Sequence, residues 1–144
     1  MIAFGCDHGG VELKEFLLNE LRAKGLDVLD FGKEVSRSVS SGQAERGVLI
    51  CTSGIGMSIT ANKFPRVRAA LVQDIDGARS SREHNDSNIL VLSGAKTEIS
   101  LARQIIETWL ATPFAGGRHQ RRIDKISQIE TDLGTRLVDD AENK

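Results

Sequence analysis

A cysteine at the end of a short apolar segment has the surroundings best suited to chemistry. The apolar run 48–50 is followed by Cys51, then by the small residues Thr-Ser-Gly-Ile-Gly, and then by a segment at 57–63 that we expect to be helical. In a strand, loop and helix of this kind, the backbone N–H groups of the loop point at one spot and the helix dipole adds positive potential. Such surroundings favour a thiolate that can act as a base or a nucleophile. The alternative is a buried structural cysteine before an ordinary turn.

Two further groups of polar residues lie beside predicted strands. Asp7 and His8 follow the first strand of the chain, and His84 and Asn85 lie just ahead of the fifth. In a doubly wound parallel sheet, ligands bind at the carboxyl ends of the strands, where these side chains, the thiol and the loop amides could converge. Each imidazole also has a structural interpretation, because His8 could cap the first helix and His84 could be a hydrogen-bonded helix end.

Two arginines near the end of the chain have a spacing that suits a phosphate. Arg118 and Arg122 are four residues apart and therefore lie on one face of a helix, where both could hold the same phosphate group. They follow a Gly-Gly turn and flank His119. The alternative is a solvated helix face, which is the commoner role of such a pair.

The composition excludes several classes of protein. The 144 residues carry 19 basic and 20 acidic side chains, which gives no general attraction to nucleic acid or to an acidic membrane surface. The chain has no apolar run that could span a membrane and no signal-peptide pattern. Its two cysteines, Cys6 and Cys51, have neither a disulfide pattern nor metal-ligand spacing. We therefore expect one cytoplasmic domain, residues 1–144, with reduced thiols, no metal and no cofactor.

Apolar segments alternate with amphipathic ones along most of the chain. This alternation predicts an α/β fold, a three-layer Rossmann-like doubly wound sheet of about five parallel strands. We expect strands at 1–6, 26–31, 48–51, 68–72 and 88–92, and helices at 11–25, 57–63, 78–83 and 97–110.

Two segments depart from this alternation. An additional helix at about 118–135 carries a narrow apolar stripe that suits packing on a partner subunit or back on its own domain, and a polar tail is expected at 136–144. The link at 32–46 contains only three apolar residues, so we expect that it cannot supply a helix to cover the sheet. Either one face of the sheet is open, or roughly a dozen residues are missing between Val39 and Ser40.

Four motifs in this chain resemble those of the ribose-5-phosphate isomerase B family, which also includes galactose-6-phosphate isomerase subunits. The motifs are FGCDHGG, LICTSGIGMSITANK, SREHNDSN and GGRHQRRI, in this order through most of the chain. The resemblance implies a metal-free aldose–ketose isomerase that interconverts ribose 5-phosphate and ribulose 5-phosphate in the pentose phosphate pathway. It also implies a homodimer or a dimer of dimers whose active sites take residues from both subunits.

The resemblance implies a role for each motif residue by its position. Cys51 would be the base that moves a proton between C2 and C1 through an enediolate, and His84, from the neighbouring subunit, would open the sugar ring. The remaining implied residues bind the substrate: Asp7 and His8 at the sugar hydroxyls, Asn85 beside His84, Arg118 and Arg122 at the phosphate, and Thr52, Ser53, Gly54, Ile55 and Gly56 in the loop that holds the oxyanion.

The chain departs from the family pattern in three places. Ser53 stands where family members usually have Thr, and Lys96 stands one position later than their arginine after the fifth strand. The link at 32–46 lacks the family's Asp-Tyr-Pro motif and its helix, and the chain contains no Tyr. Two other functions stay open, an isomerase of a six-carbon sugar phosphate such as allose or galactose 6-phosphate and a non-catalytic sugar-phosphate-binding subunit. A scaffold would have no need of Cys51 and His84 together, which argues against the latter.

Overall fold

The parallel sheet predicted from the alternation of segments is present. The computed structural model describes residues 1–30 and 34–142. Its sheet has the strand order β2-β1-β3-β5-β4, and each neighbouring pair is parallel. The five strands are β1 Ile2–Cys6, β2 Val28–Asp30, β3 Arg46–Cys51, β4 Ala69–Leu71 and β5 Ile89–Ser93. The predicted α/β fold is therefore confirmed, although Phe31, the last residue of the predicted second strand, lies outside the described residues.

Helices cover both faces of this sheet because strand side chains alternate between two apolar layers. The helices are α1 Val11–Ala23, α2 Val35–Ser41, α3 Ile55–Ala61, α4 Ile75–Asn85, α5 Ile99–Ala111 and α6 Gln120–Glu142, with a 3₁₀ turn at His8–Gly10. Val48 and Ile50 of β3 pack in the layer beneath α1 and α5, whereas Leu49 packs in the layer beneath α2 and α3.

The expectation that residues 32–46 cannot supply a covering helix is wrong. α2 lies in this segment and buries Val35 and Val39 against the sheet. Gly47 of β3 permits the close approach, because a Cβ on it would lie 2.6 Å from Val35 Cγ1. The hydroxyls of Ser38 and Ser41 donate to carbonyls of the helix itself, so these serines do not prevent burial. With the face covered, the physical reason for expecting an open face or missing residues is removed.

The last helix is longer than the sequence predicts. α6 continues to Glu142, so residues 136–142 are helical and not a tail. Ile123 at its start is buried against its own domain, but Ile126, Ile129 and Leu133 are exposed. These three side chains line an apolar groove of about 450 Å³ between α6 and β4. Among the described residues, no helix is both long enough and apolar enough to cross a membrane.

Candidate active site

Three loops meet at the carboxyl edge of the sheet, after β1, β3 and β5. Glycines let them touch, because a Cβ on Gly94 would overlap the Gly9 carbonyl oxygen and a Cβ on Gly9 would overlap Thr52 Oγ1. The Gly94 N–H donates to the Cys51 carbonyl over 2.8 Å, and Ser93 Oγ donates to the Thr52 carbonyl over 2.7 Å. The loops therefore form one closely packed platform.

Cys51 is the last residue of β3, and its side chain is buried in this platform. The Gly54 N–H donates to Cys51 Sγ over 3.1 Å. Gly54 can aim its amide at the sulfur because its φ is +77°, a left-handed conformation that favours glycine. The Leu71 side chain also leaves no room for a Cβ at this position. An N–H group aimed at sulfur stabilises negative charge there, so the geometry suits a thiolate.

The other predicted loop residues lie around Cys51 at the surface. Ser53 Oγ accepts from the Ile55 N–H over 3.3 Å, which fixes the turn into α3. Within the described part of the chain, the amides of Ser53 and Gly56 find no acceptor. Thr52, Ser53, Ile55 and Gly56 are all exposed. Two backbone donors are thus available to an anion beside the thiol.

Asp7 and His8 lie at the same edge and are exposed. Asp7 Oδ1 accepts from the Gly9 N–H over 2.9 Å and so begins the 3₁₀ turn. The Asp7 N–H in turn donates to the Ile50 carbonyl over 3.2 Å. α1 begins after Gly10 with no side-chain cap, so His8 does not cap the first helix as one interpretation had it, and its imidazole faces solvent.

His84 and Asn85 do not join Cys51 within one chain. α4 begins after the carboxyl end of β4 and ends before the amino end of β5, so its last residues lie at the amino edge of the sheet. A strand rises about 3.3 Å per residue, so the five residues of β5 separate the two edges by about 15 Å. The expectation that these side chains converge at the carboxyl edge is wrong for a single subunit.

The segment before α6 brings another group of predicted residues to His84. The Ala115 N–H donates to the Glu83 carbonyl over 3.1 Å, which ties this segment to the end of α4. The imidazoles of His84 and His119 stack, with ring centroids 4.4 Å apart and ring planes 13° from parallel. Arg118 and Arg122 flank this pair and are exposed. The structure therefore places the predicted phosphate ligands and His84 in one cluster.

His119 was not among the predicted site residues. Its side chain is only 8% exposed, and burial lowers the pKa of its imidazole below the usual 6.5. The neighbouring His84, Arg118 and Arg122 lower this pKa further, whereas Glu83 raises it. The imidazole is consequently uncharged at neutral pH.

An ionic network fixes the end of α4 beneath His84. Asp86 has a φ of +45° and accepts from Arg82 Nη1 and from Arg68 Nη2, each over 2.8 Å. The Arg82 guanidinium is buried and lies 5.7 Å from the Trp109 ring centroid. Because both arginines hold the same carboxylate, the backbone that carries His84 is anchored although its side chain is exposed.

Comparison with known proteins gives a consistent result. The family model described as Ribose/Galactose Isomerase matches residues 2–126. The putative sugar phosphate isomerase YwlF of Bacillus subtilis is 44% identical over 90% of this chain and 96% of its own length. Ribose-5-phosphate isomerase B of Escherichia coli is 38% identical over 90% of this chain and 95% of its own. The alignment with YwlF is 144 positions long, but it includes only 90% of the 144 residues of this chain. YwlF therefore has residues inside the matched region that have no counterpart here.

A solved structure gives the same relationship. Ribose-5-phosphate isomerase B from Clostridium thermocellum is 42% identical, covers 92% of this chain and 98% of its own, and superposes with a TM-score of 0.89.

Proposed function

Because this chain belongs to the ribose/galactose isomerase family and is an aldose–ketose isomerase of sugar phosphates, we propose that it interconverts ribose 5-phosphate and ribulose 5-phosphate. The observation that carries the proposal is the buried Cys51 thiol with the Gly54 amide aimed at its sulfur. Removal of a proton beside a carbonyl needs a base and a stabilised oxyanion. The carboxyl edge of the sheet has residues of both kinds.

In the proposed reaction, the Cys51 thiolate removes the proton from C2 of the open-chain aldose. The electron pair of the C–H bond forms the C1–C2 double bond of an enediolate, and the charge collects on O1. The amides of Ser53 and Gly56 donate to this oxygen. The proton on O2 then moves to O1, the thiol returns its proton to C1, and the ketose forms with no net gain or loss of atoms.

The same proposal gives the second cluster its role. Ribose 5-phosphate is mainly a furanose, so its ring must open before C2 can lose a proton. His84 is the acid–base for this step, with Asn85 beside it, and Arg118 and Arg122 hold the phosphate. Because these residues lie at the opposite edge of the sheet from Cys51, the complete site requires two copies of the chain.

A second copy would also cover the exposed part of α6. Ile126, Ile129 and Leu133 are 40%, 58% and 54% exposed and line the apolar groove described above. Burial of such side chains stabilises an interface by about 25 cal/mol for each Å² removed from water. We therefore include in the proposal a homodimer, alone or paired into a dimer of dimers, with active sites shared between subunits.

A six-carbon sugar phosphate is the second candidate substrate. It is favoured by the galactose in the description of the matched family. A coupled assay with ribose 5-phosphate and allose 6-phosphate side by side tests both. We expect the larger kcat/KM for ribose 5-phosphate. A preference for allose 6-phosphate would select the second candidate, and turnover of neither would indicate a non-catalytic subunit.

A further inference from the structure

The imidazole of His84 is oriented by one contact, its stack on His119. The two rings lie 4.4 Å apart and nearly parallel. Elsewhere in the described part of the chain, the His84 side chain has no hydrogen-bond partner, and it is exposed at the end of α4. An exposed imidazole without such a contact would sample several staggered rotamers.

His119 is itself firmly held. Its backbone N–H donates to the Gly116 carbonyl over 3.0 Å, and its backbone carbonyl accepts from the Ile123 N–H over 3.2 Å at the start of α6. Ile123 is buried against the domain, and the hydrogen bond from Ala115 to Glu83 ties the same segment to α4. The His119 ring is thus a fixed surface beneath His84.

The ring face of His119 makes a defined contact, whereas its nitrogen atoms make no strong hydrogen bond among the described residues. Nδ1 is buried and has no hydrogen-bond partner among the described residues. Nε2 accepts from Arg118 Nε at 3.4 Å, which is long for a hydrogen bond of this type. Buried polar atoms are usually hydrogen-bonded, so the nitrogen atoms do not account for the burial of this side chain, whereas its ring face contacts His84.

We propose that His119 is a positioning residue, whose ring holds the His84 imidazole in the orientation that opens the sugar ring. This inference rests on the proposed function of His84. The charged groups that face His119 are Arg118 beside it, Arg122 on α6, and His84 and Glu83 on α4. Protonation of His119 would add a third positive charge beside Arg118 and Arg122, so the neutral ring is the form that stacks.

The two directions of the reaction separate this role from the role of Cys51. Ribose 5-phosphate must be opened, whereas ribulose 5-phosphate has its O5 blocked by phosphate and cannot close a five-membered ring. Exchange of the C1 hydrogen of ribulose 5-phosphate with D2O, followed by NMR, therefore needs the base but no ring opening. Turnover of ribose 5-phosphate needs both.

We expect His119→Ala to lower kcat for ribose 5-phosphate by about 10- to 100-fold, while C1 exchange from ribulose 5-phosphate changes by less than about twofold. His119→Phe keeps a flat ring and should restore most of the turnover. Arg121→Ala, which removes an exposed charge from the same segment, is the matched control, and thermal unfolding verifies that each variant is folded.

Equal losses in the two reactions, or no loss in either, would overturn the inference. A folded His119→Phe enzyme as slow as His119→Ala would also overturn it, because a nitrogen atom and not the ring would then be required. If the wild-type enzyme showed no C1 exchange, the proposed function itself would fail and the inference with it.

Discussion

The two thiols of this chain lie in different surroundings, and a matched pair of substitutions can compare them. Cys51 accepts the Gly54 amide, whereas Cys6 is packed against the apolar core, and burial raises the pKa of its thiol. We expect Cys51→Ala to lower kcat by about 10²- to 10⁴-fold, the usual contribution of a general base, and to leave the fold intact. Cys6→Ala should keep near-normal kcat. Steady-state kinetics of both variants decide, and near-normal kcat in Cys51→Ala would place the base elsewhere.

The phosphate assignment of Arg118 and Arg122 predicts a selective loss of affinity. Each charge-assisted contact is worth about 1.5–3 kcal/mol. Either Arg→Ala change should therefore weaken binding of the sugar phosphate by about 10- to 100-fold and scarcely change binding of the unphosphorylated sugar. Arg121→Ala is the control for loss of charge. Equal losses for the two ligands, measured by calorimetry, would remove the assignment.

The lowered pKa of His119 predicts a dependence of stability on pH. Well above pH 6.5, as at about pH 7.5, the imidazole is largely neutral in both the folded and the unfolded chain, so it contributes little to the pH dependence. As the pH falls below this value the unfolded state binds the proton first, and the fold loses stability until the folded His119 also titrates. Urea unfolding at about pH 7.5 and about pH 5.5 should show a smaller loss in His119→Phe than in wild type. An equal loss in both would show that His119 titrates normally.

The site residues that the sequence could identify are those whose neighbours are local. Cys51 and the Gly54 turn lie within four residues of one another, and Arg118 and Arg122 are four residues apart, although Arg118 precedes α6 and only Arg122 lies on it. The stack of His119 on His84 joins residues 35 positions apart by the hydrogen bond between Ala115 and Glu83. Local spacing does not show that the segment before α6 returns to the end of α4, although His119 lies within the motif GGRHQRRI.

The short helix α2 shows why composition alone misjudged an element. Val35 and Val39 are four residues apart, so even a seven-residue helix presents both to the sheet. Two valines suffice because Gly47 lets the helix approach closely. The size of the strand residue opposite a helix therefore decides burial as much as the number of apolar residues in the helix does.

This close approach gives a prediction for the element. Gly47→Ala should lower the free energy of unfolding by about 1–3 kcal/mol, because its Cβ would overlap Val35. Gly134→Ala on α6 is the matched control, since a Cβ there meets nothing within 4 Å, and it should be stabilising by up to about 1 kcal/mol. Urea denaturation of both variants measures the difference. A Gly47→Ala protein as stable as wild type would mean that α2 can move away from the sheet at no cost.

For the whole molecule, the fold class followed from the alternation of strands and helices, but the division of the site did not. The position of a residue before a strand, like His84, places it at the amino edge as soon as the strands are known to be parallel. The expectation from residue spacing placed His84 at the same edge as the residues that follow strands. Residues that follow a strand lie at the carboxyl edge and residues that precede one lie at the amino edge, so the two sets are separated.

The proposed sharing of sites between subunits predicts complementation between two inactive proteins. In a hybrid dimer of Cys51→Ala and His84→Ala, one site has both substitutions and the other has neither. Random exchange of subunits should therefore restore about a quarter of wild-type activity, one intact site in half of the dimers. The activity of a mixture after unfolding and refolding together measures this. If the mixture stayed as inactive as its components, each site would have to be built from one subunit.

The placement of the two clusters at opposite edges of the sheet also restricts symmetry. In the proposed dimer each subunit would offer one half of a site at each edge, so both halves could be completed within a pair only if the two sheets run antiparallel about a two-fold axis perpendicular to the strands. A head-to-tail pair would leave an unmatched half at each end, so further copies would add until they closed a ring or formed an open filament. In the closed pair, a residue on the axis faces its own copy. A charge introduced there would be repelled by the same charge on the partner subunit, so a single substitution would alter both sides of the interface.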